Sequence, residues 1–261
     1  MRTVVLFMPL VVLACLLTGC SAAAPDDVPH LRVQVLSTLP HDTAAFTEGL
    51  EFSGDTLYEG TGLEGRSSVR AGQPGRPARA VVPLPPDLFG EGITVLGPVL
   101  WQLTWKNGIA IERDSTTLAE LRRVRYEGEG WGLCHQGTAR GTRLVMSDGS
   151  DRLTFRDPVT FAATGQVTVH SRTRTYDQLN ELECVGDLVY ANVWQTDEIL
   201  RIDPADGTVS GIADASGLLT EEQRSGADVL NGIAAVPGTD DFLVTGKLWP
   251  VMFRVRFDPL D

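Results

Sequence analysis

The sequence has little that would build helices. Beyond its first twenty residues no strong pattern of apolar positions at amphipathic-helix spacing appears, and short β-rich runs broken by Gly, Asp and Pro fill the chain instead. Positive charge is also in short supply. There are 22 Lys and Arg against 34 Asp and Glu, a net charge of −12, which argues against a nucleic-acid partner and against a polybasic membrane contact. Histidine is scarce, and His30, His41, His135 and His170 stand in no metal-ligand spacing, which argues against zinc hydrolysis. No Gly-x-Ser-x-Gly elbow occurs. No loop is suited to cradling phosphate either, since Gly62-Leu63-Glu64-Gly65 lies among polar turn residues and reads as a hairpin.

One long apolar run is present, at residues 4–17, interrupted by Pro9 and Cys15 and preceded by Arg2. It is short for a bilayer span, which takes about 20 residues, and has the layout of a secretory signal. Its ending, Leu17-Thr18-Gly19-Cys20, resembles a bacterial lipobox. In such signals the peptide is cut before the cysteine, which then carries lipid. The alternative is an ordinary signal peptide with Cys20 a bystander. The expected organisation is a signal peptide at 1–20, a flexible tether at 21–30 and one folded domain at 31–261. The mature chain is expected to be exported and held at the cell envelope by lipid on Cys20, facing the periplasm or the exterior. Two further cysteines remain, Cys134 and Cys184. Export permits a disulfide between them, and two separate buried thiols fit the sequence equally well.

An internal repeat organises the rest. Units open at Glu48-Gly49-Leu50, Glu91-Gly92-Ile93, Trp131-Gly132-Leu133, Asn180-Glu181-Leu182 and Asn231-Gly232-Ile233, spaced by 43, 40, 49 and 51 residues. Each opening is followed by a turn and a second apolar run, such as Leu188-Val189-Tyr190. Third runs end in Asp-Pro or Asp before a Thr or Gly, which is turn chemistry. Four strands per unit at this period predict an all-β fold, a five-bladed β-propeller of four-stranded antiparallel blades. The last unit lacks a fourth strand, and Leu31-Arg32-Val33-Gln34-Val35-Leu36 belongs to no unit. The N-terminal strand is therefore expected to close the last blade.

The repeat places equivalent positions around one mouth of the ring. Glu48, Glu91, Trp131, Asn180 and Asn231 stand on the first strands, and Glu59, Trp105, Asp148, Trp194 and Lys247 near the ends of the second. Blade packing needs none of these types. Trp101 and Trp249 read as filling between blades, whereas Trp105, Trp131 and Trp194 read as walls of a pocket. Glu91 lies between glycines in Phe89-Gly90-Glu91-Gly92, and a carboxyl desolvated by aromatics suits acid–base work. Lys247 reads either as an oxyanion stabiliser or as the partner of Glu48 or Glu59 in an ion pair.

Phe46-Thr47-Glu48-Gly49-Leu50, Phe89-Gly90-Glu91-Gly92, Gly130-Trp131-Gly132-Leu133, Leu179-Asn180-Glu181-Leu182-Glu183, Ala191-Asn192-Val193-Trp194, Leu230-Asn231-Gly232-Ile233 and Val244-Thr245-Gly246-Lys247-Leu248-Trp249 together resemble the plant and bacterial glutaminyl-peptide cyclotransferases. The resemblance runs from about residue 31 to 257. It implies a five-bladed propeller that converts the N-terminal glutamine of a peptide or protein to pyroglutamate with release of ammonia, unlike the zinc-dependent animal type. It implies catalytic roles for Glu91, Lys247 and Asn180 and a substrate pocket of Phe46, Glu48, Trp105, Trp131 and Trp194. Glu91 would take the α-amine proton and return it to the leaving ammonia, Lys247 and Asn180 would polarise the amide oxygen, and the tryptophans would enclose the side chain. No metal ligand and no cofactor is expected; some members bind a structural calcium, and no loop here identifies such a site. A monomer is expected. Three departures stand out: Glu48 where many members have Gln, Gly60 where many have Ser, and Cys184 where an aromatic is common. A propeller that only binds peptides or sugars and a lactonase-like hydrolase are the alternatives.

In the full chain, Cys20→Ser is expected to move the protein from the detergent phase to the aqueous phase of a detergent partition. Unchanged partitioning would contradict the lipid assignment.

Overall fold

The computed structural model describes residues 28–139 and 141–260, so the signal segment, Cys20 and most of the tether lie outside the described residues. The described chain holds twenty strands and no helix. After β1 (His30–Pro40) come three antiparallel sheets of four strands each. The first is β2 (Thr47–Ser53), β3 (Thr56–Thr61), β4 (Ser68–Gly72) and β5 (Ala80–Pro83). The second is β6 (Gly90–Leu96), β7 (Val99–Thr104), β8 (Ile109–Asp114) and β9 (Glu120–Arg125), and the third β10 (Leu133–Thr138), β11 (Gly141–Met146), β12 (Arg152–Arg156) and β13 (Ala163–Thr168). The remaining strands are β14 (Leu179–Val185), β15 (Leu188–Val193), β16 (Glu198–Asp203), β17 (Thr208–Asp214), β18 (Leu230–Ala235), β19 (Phe242–Gly246) and β20 (Val251–Pro259). With β1 they form one eight-stranded sheet, ordered β14-β15-β16-β17-β1-β20-β19-β18.

This sheet departs from the expectation of separate four-stranded units, and β1 is the reason. It pairs antiparallel with β20 from Leu31 opposite Pro259 to Pro40 opposite Val251, as the orphan N-terminal strand predicted. Its first two residues also pair in parallel with β17, His30 with Ile212 and Leu31 with Ala213. That short bridge joins the two runs into one sheet and covers edges that would otherwise be open. Val28, ahead of β1, is already buried in the core beside β17.

The first strands pack in a closed circuit: β2 on β6, β6 on β10, β10 on β14, β14 on β18, and β18 back on β2. Burial falls from this ring outward. β6 is buried at six successive residues, while the outer β9 and β13 are exposed along most of their length. Inner strands approach so closely that the repeated glycine has a steric reason. A Cβ at Gly92 would meet the Trp131 carbonyl oxygen at 2.5 Å, and one at Gly132 would meet that of Asn180 at 2.1 Å.

The first strands of neighbouring units do not pair in ladders with one another, which leaves backbone N–H groups to satisfy. Buried carboxylates do this. Glu181 stands where other units have glycine, and its two oxygens accept from Leu50 N at 3.2 Å and Ile233 N at 2.8 Å. Glu183 accepts from Ala235 N at 2.9 Å and Glu51 from Val95 N at 3.2 Å. Glu181 and Glu183 are held well above the ordinary carboxylate range, first by burial and then by neighbouring carboxylates.

The sequence left the pairing of Cys134 and Cys184 open. Here they are bonded across β10 and β14, with Cα atoms 5.5 Å apart. The link closes a stretch of 50 residues. Replacing both by Ser is expected to lower stability by about 2–4 kcal/mol in urea unfolding, as the freed chain gains entropy when unfolded. An unmoved midpoint and slope would mean that the bond does not contribute.

Candidate active site

The pocket residues owe their aim to a repeated irregularity. In β2, β6, β14 and β18 the strand register slips at the start, between Thr47 and Gly49, Gly90 and Ile93, Leu179 and Leu182, and Leu230 and Ile233. Glu48, Glu91, Asn180 and Asn231 sit in these slips. A bulge kinks the strand and re-aims its side chain, here toward the mouth of the ring. Gly92 N donates to Trp131 O at 2.7 Å, which pins the loop before β10 beside Glu91. Trp105 and Trp194 stand just beyond the ends of β7 and β15.

These elements enclose a cavity of about 870 Å³. All eight residues predicted for the site line it: Phe46, Glu48, Glu91, Trp105, Trp131, Asn180, Trp194 and Lys247. Asp148 lines it too. Glu59 does not; it turns away to bond His41 Nε2 at 3.0 Å and Thr47 Oγ1 at 2.8 Å. Trp101 and Trp249 are buried elsewhere, Trp101 against Phe161 at 4.9 Å and Trp249 with its indole N–H on Asp228 O at 2.8 Å. The aromatic wall has two parts. Phe46 meets Phe89 edge-on at 6.2 Å, Phe89 meets Trp105 at 5.5 Å, and Trp131 meets Trp194 edge-on at 5.7 Å.

The floor is charged and buried. Lys247 Nζ donates to Glu48 Oε1 at 2.8 Å and lies 4.7 Å from the centre of the Phe46 ring. Of the two readings of Lys247, its resting contact is the ion pair with Glu48. Asn231 Nδ2 donates to the second oxygen of Glu48 at 3.0 Å. Burial pushes Glu48 up to about 7 against the opposing pull of Lys247. Glu91 is held well above the carboxylate range, first by burial and next by the charge of the neighbouring Glu48. Both carboxyls are pushed up by burial, and the charge of Glu48 favours the protonated form of Glu91.

Three buried acceptors here have no partner: Glu91 Oε2, Asn180 Oδ1 and Gln178 Oε1. Each can accept an N–H from an occupant of the cavity. Gln178 and Gln195, both on the cavity wall, have φ of 59° and 63°. Left-handed backbone at non-glycine residues is strain of the kind that collects at functional sites.

The sequence reading missed Gln178, Phe89 and Glu129. Glu129 carried a usable signal, for Gly128-Glu129-Gly130 repeats the pattern that singled out Glu91 in Gly90-Glu91-Gly92. Gln178 carried none, since its placement depends on a backbone conformation that its residue type does not announce. Among the described residues no group of three or more His, Cys, Asp or Glu side chains is arranged to hold a metal ion.

Comparison with known proteins follows the same line. The sequence model of the glutamine cyclotransferase family matches residues 8–257. A glutaminyl-peptide cyclotransferase of Arabidopsis thaliana is 37% identical over 247 residues, which cover 91% of this chain and 76% of the relative. The crystal structure of Myxococcus xanthus glutaminyl cyclase superposes with a TM-score of 0.79 at 38% identity, covering 90% of this chain and 100% of the other. A β-propeller domain from Myceliophteria thermophila superposes with a TM-score of 0.51 at 11% identity, over 85% of this chain and 99% of that one, a likeness of fold alone.

Lys247→Met would leave two buried carboxyls without a cation. An acid whose folded pKa lies above its unfolded value of 4.5 loses stability on ionising, so this contribution falls as pH rises from 4.5 through about 7. The variant is therefore expected to lose about 3–5 kcal/mol at pH 8 and much less at pH 5, read by denaturant unfolding. Equal losses at both would contradict this placement of charge.

Proposed function

The chain belongs to the glutamine cyclotransferase family and is a glutaminyl-peptide cyclotransferase, and we propose that it works without a metal, through a proton carried by Glu91. The single observation that carries the reading is the unpartnered Oε2 of a buried Glu91, beside the unpartnered Oδ1 of Asn180, inside an aromatic enclosure. An N-terminal glutamine offers what this floor lacks. Its α-amine and its amide nitrogen are both N–H donors, and its methylenes suit tryptophan walls.

The reaction is intramolecular. The α-amine nitrogen bonds to the side-chain amide carbon, the bond from that carbon to its own nitrogen breaks, and one proton passes from the first nitrogen to the second. Holding the glutamine folded supplies much of the rate. The α-amine titrates at about 7.7–8.0, so a neutral nucleophile is available near neutral pH. Because Glu91 rests protonated, the order of transfer differs from the sequence-based expectation. It gives its proton to the leaving nitrogen as ammonia departs and regains one from the newly bonded nitrogen. It ends in the state in which it began. Asn180 accepts a substrate N–H at Oδ1, leaving its Nδ2 for the amide oxygen. Lys247 keeps ammonium protons beyond the one on Glu48 and stabilises the same oxygen as charge develops there. Phe46, Trp105, Trp131 and Trp194 exclude water. The protons and hydrogen bonds that the leaving nitrogen and the amide oxygen need can all come from the side chains of Glu91, Asn180 and Lys247, which is the argument for a metal-independent reaction.

The same reading takes the ring as five-bladed, counting the eight-stranded sheet as two runs of four; the circuit of five first strands supports it. It has the mature chain begin at Cys20, tethered to the cell-envelope membrane by lipid through residues 21–30 and acting as a monomer. The lipobox-like ending of the signal supports the anchor.

Glu91→Gln keeps the shape and removes the proton. It is expected to reduce ammonia release from a glutamine-headed peptide by about 100- to 10,000-fold, the usual worth of a general acid–base group. Wild-type turnover should be unchanged by a chelator. Activity of Glu91→Gln within several-fold of wild type would remove Glu91 from the role, and loss of wild-type activity on chelation would remove the metal-free scheme.

A further inference from the structure

Glu129 takes no part in the proton path just described, yet it touches both sides of the aromatic wall. It lies in the turn Gly128-Glu129-Gly130, between β9 and Trp131. One oxygen, Oε2, accepts from Trp105 Nε1 at 2.8 Å and from Trp131 Nε1 at 3.0 Å. The other faces Lys106 Nζ at 3.7 Å, whose ammonium sits 3.9 Å from the centre of the Trp105 ring. The two indoles come from different sheets, Trp105 from the end of β7 and Trp131 from the approach to β10. A single carboxylate oxygen therefore spans the gap between sheets and fixes the rotation of both rings. Each ring passes that orientation on, Trp105 to Phe89 and Trp131 to Trp194. The carboxyl is 38% exposed and lines the rim of the same cavity as the two rings.

We propose that Glu129 is a positioning residue for cyclisation: it sets the tilt and spacing of Trp105 and Trp131 and so the width of the slot that receives the glutaminyl side chain. This rests on the glutaminyl reading of the pocket. A hydrogen bond between an indole N–H and a carboxylate is charge-assisted and directional, and a ring freed from it regains torsional freedom that substrate must then remove. Such a loss weakens ground state and transition state alike, so it falls on KM more than on kcat.

The test compares wild type, Glu129→Ala and Glu129→Gln in the full mature domain. Steady-state kinetics use a glutamine-headed peptide, and near-ultraviolet circular dichroism reads the tryptophans without substrate. Glu129→Ala is expected to raise KM about tenfold with kcat within about threefold, and to alter the tryptophan dichroism. Glu129→Gln keeps an acceptor oxygen without the charge, and is expected to restore KM to within about threefold of wild type and to restore the dichroism. Unaltered dichroism in Glu129→Ala overturns the proposal. So does a Glu129→Gln as impaired as Glu129→Ala, since charge and not ring geometry would then be the cause. Failure of the wild type to release ammonia would instead sink the glutaminyl reading, and the dichroism would still judge the hold of Glu129 on the two rings.

Discussion

The buried ion pair between Lys247 and Glu48, at 2.8 Å, is the contact on which the fold and the site both depend. Lys247 leaves the end of β19 and Glu48 sits at the start of β2, so the pair bridges the junction where the last first-strand, β18, meets the first, β2. Asn231, in the bulge of β18, reinforces the junction through Glu48 and through the carbonyl oxygen of Thr47 at 2.9 Å. A charge pair taken out of water is stable only with its remaining hydrogen bonds made, and Asn231 supplies one to the second oxygen of Glu48. The consequence is chemical. Charge on Glu48 favours the protonated form of the carboxyl against it, Glu91.

Interior carboxyls in this protein fall into two groups by their partners. Glu181, Glu183 and Glu91 all have their acidity weakened by burial. Glu181 spends both oxygens on backbone N–H groups of other inner strands, and Glu183 spends one. They replace hydrogen bonds that the first strands of neighbouring units do not make with one another. Glu91 has the same desolvation and an oxygen with no protein partner. A perturbed pKa marks candidates of either kind; the missing partner separates the reactive group from the structural ones. The same reasoning distinguishes Asn231, whose Nδ2 donates to Thr47 and Glu48 and whose Oδ1 accepts from Glu181 N, from Asn180, whose Oδ1 has no protein partner.

Much of this was legible in the residues. The repeat openings marked the inner strands because glycine is needed where strands approach within a Cβ of each other, and Gly92 and Gly132 bear that out. The orphan run at Leu31 and the missing fourth strand after Val251 predicted the pairing of β1 with β20. The fusion of two runs into an eight-stranded sheet was not legible, since it turns on two residues of parallel pairing that leave no mark on composition. The eight residues named for the pocket share one cavity because bulges recur at the same place in four strands. Glu59 was misplaced because position along a strand does not tell which way a side chain goes once a His and a Thr compete for it. The bond between Cys134 and Cys184 depends on the distance between β10 and β14, which spacing in the chain does not supply.

The central claim is that Glu91 rests as a protonated acid against an ionised Glu48. Its most direct measurement is an NMR titration of glutamate carboxyl carbons in the mature domain, with the Glu91 signal assigned by its loss in Glu91→Gln. The account predicts that this signal stays in its protonated position through neutral pH, above the point where Glu48 ionises. A Glu91 signal that titrates in the ordinary carboxylate range, near 4.5, would contradict it.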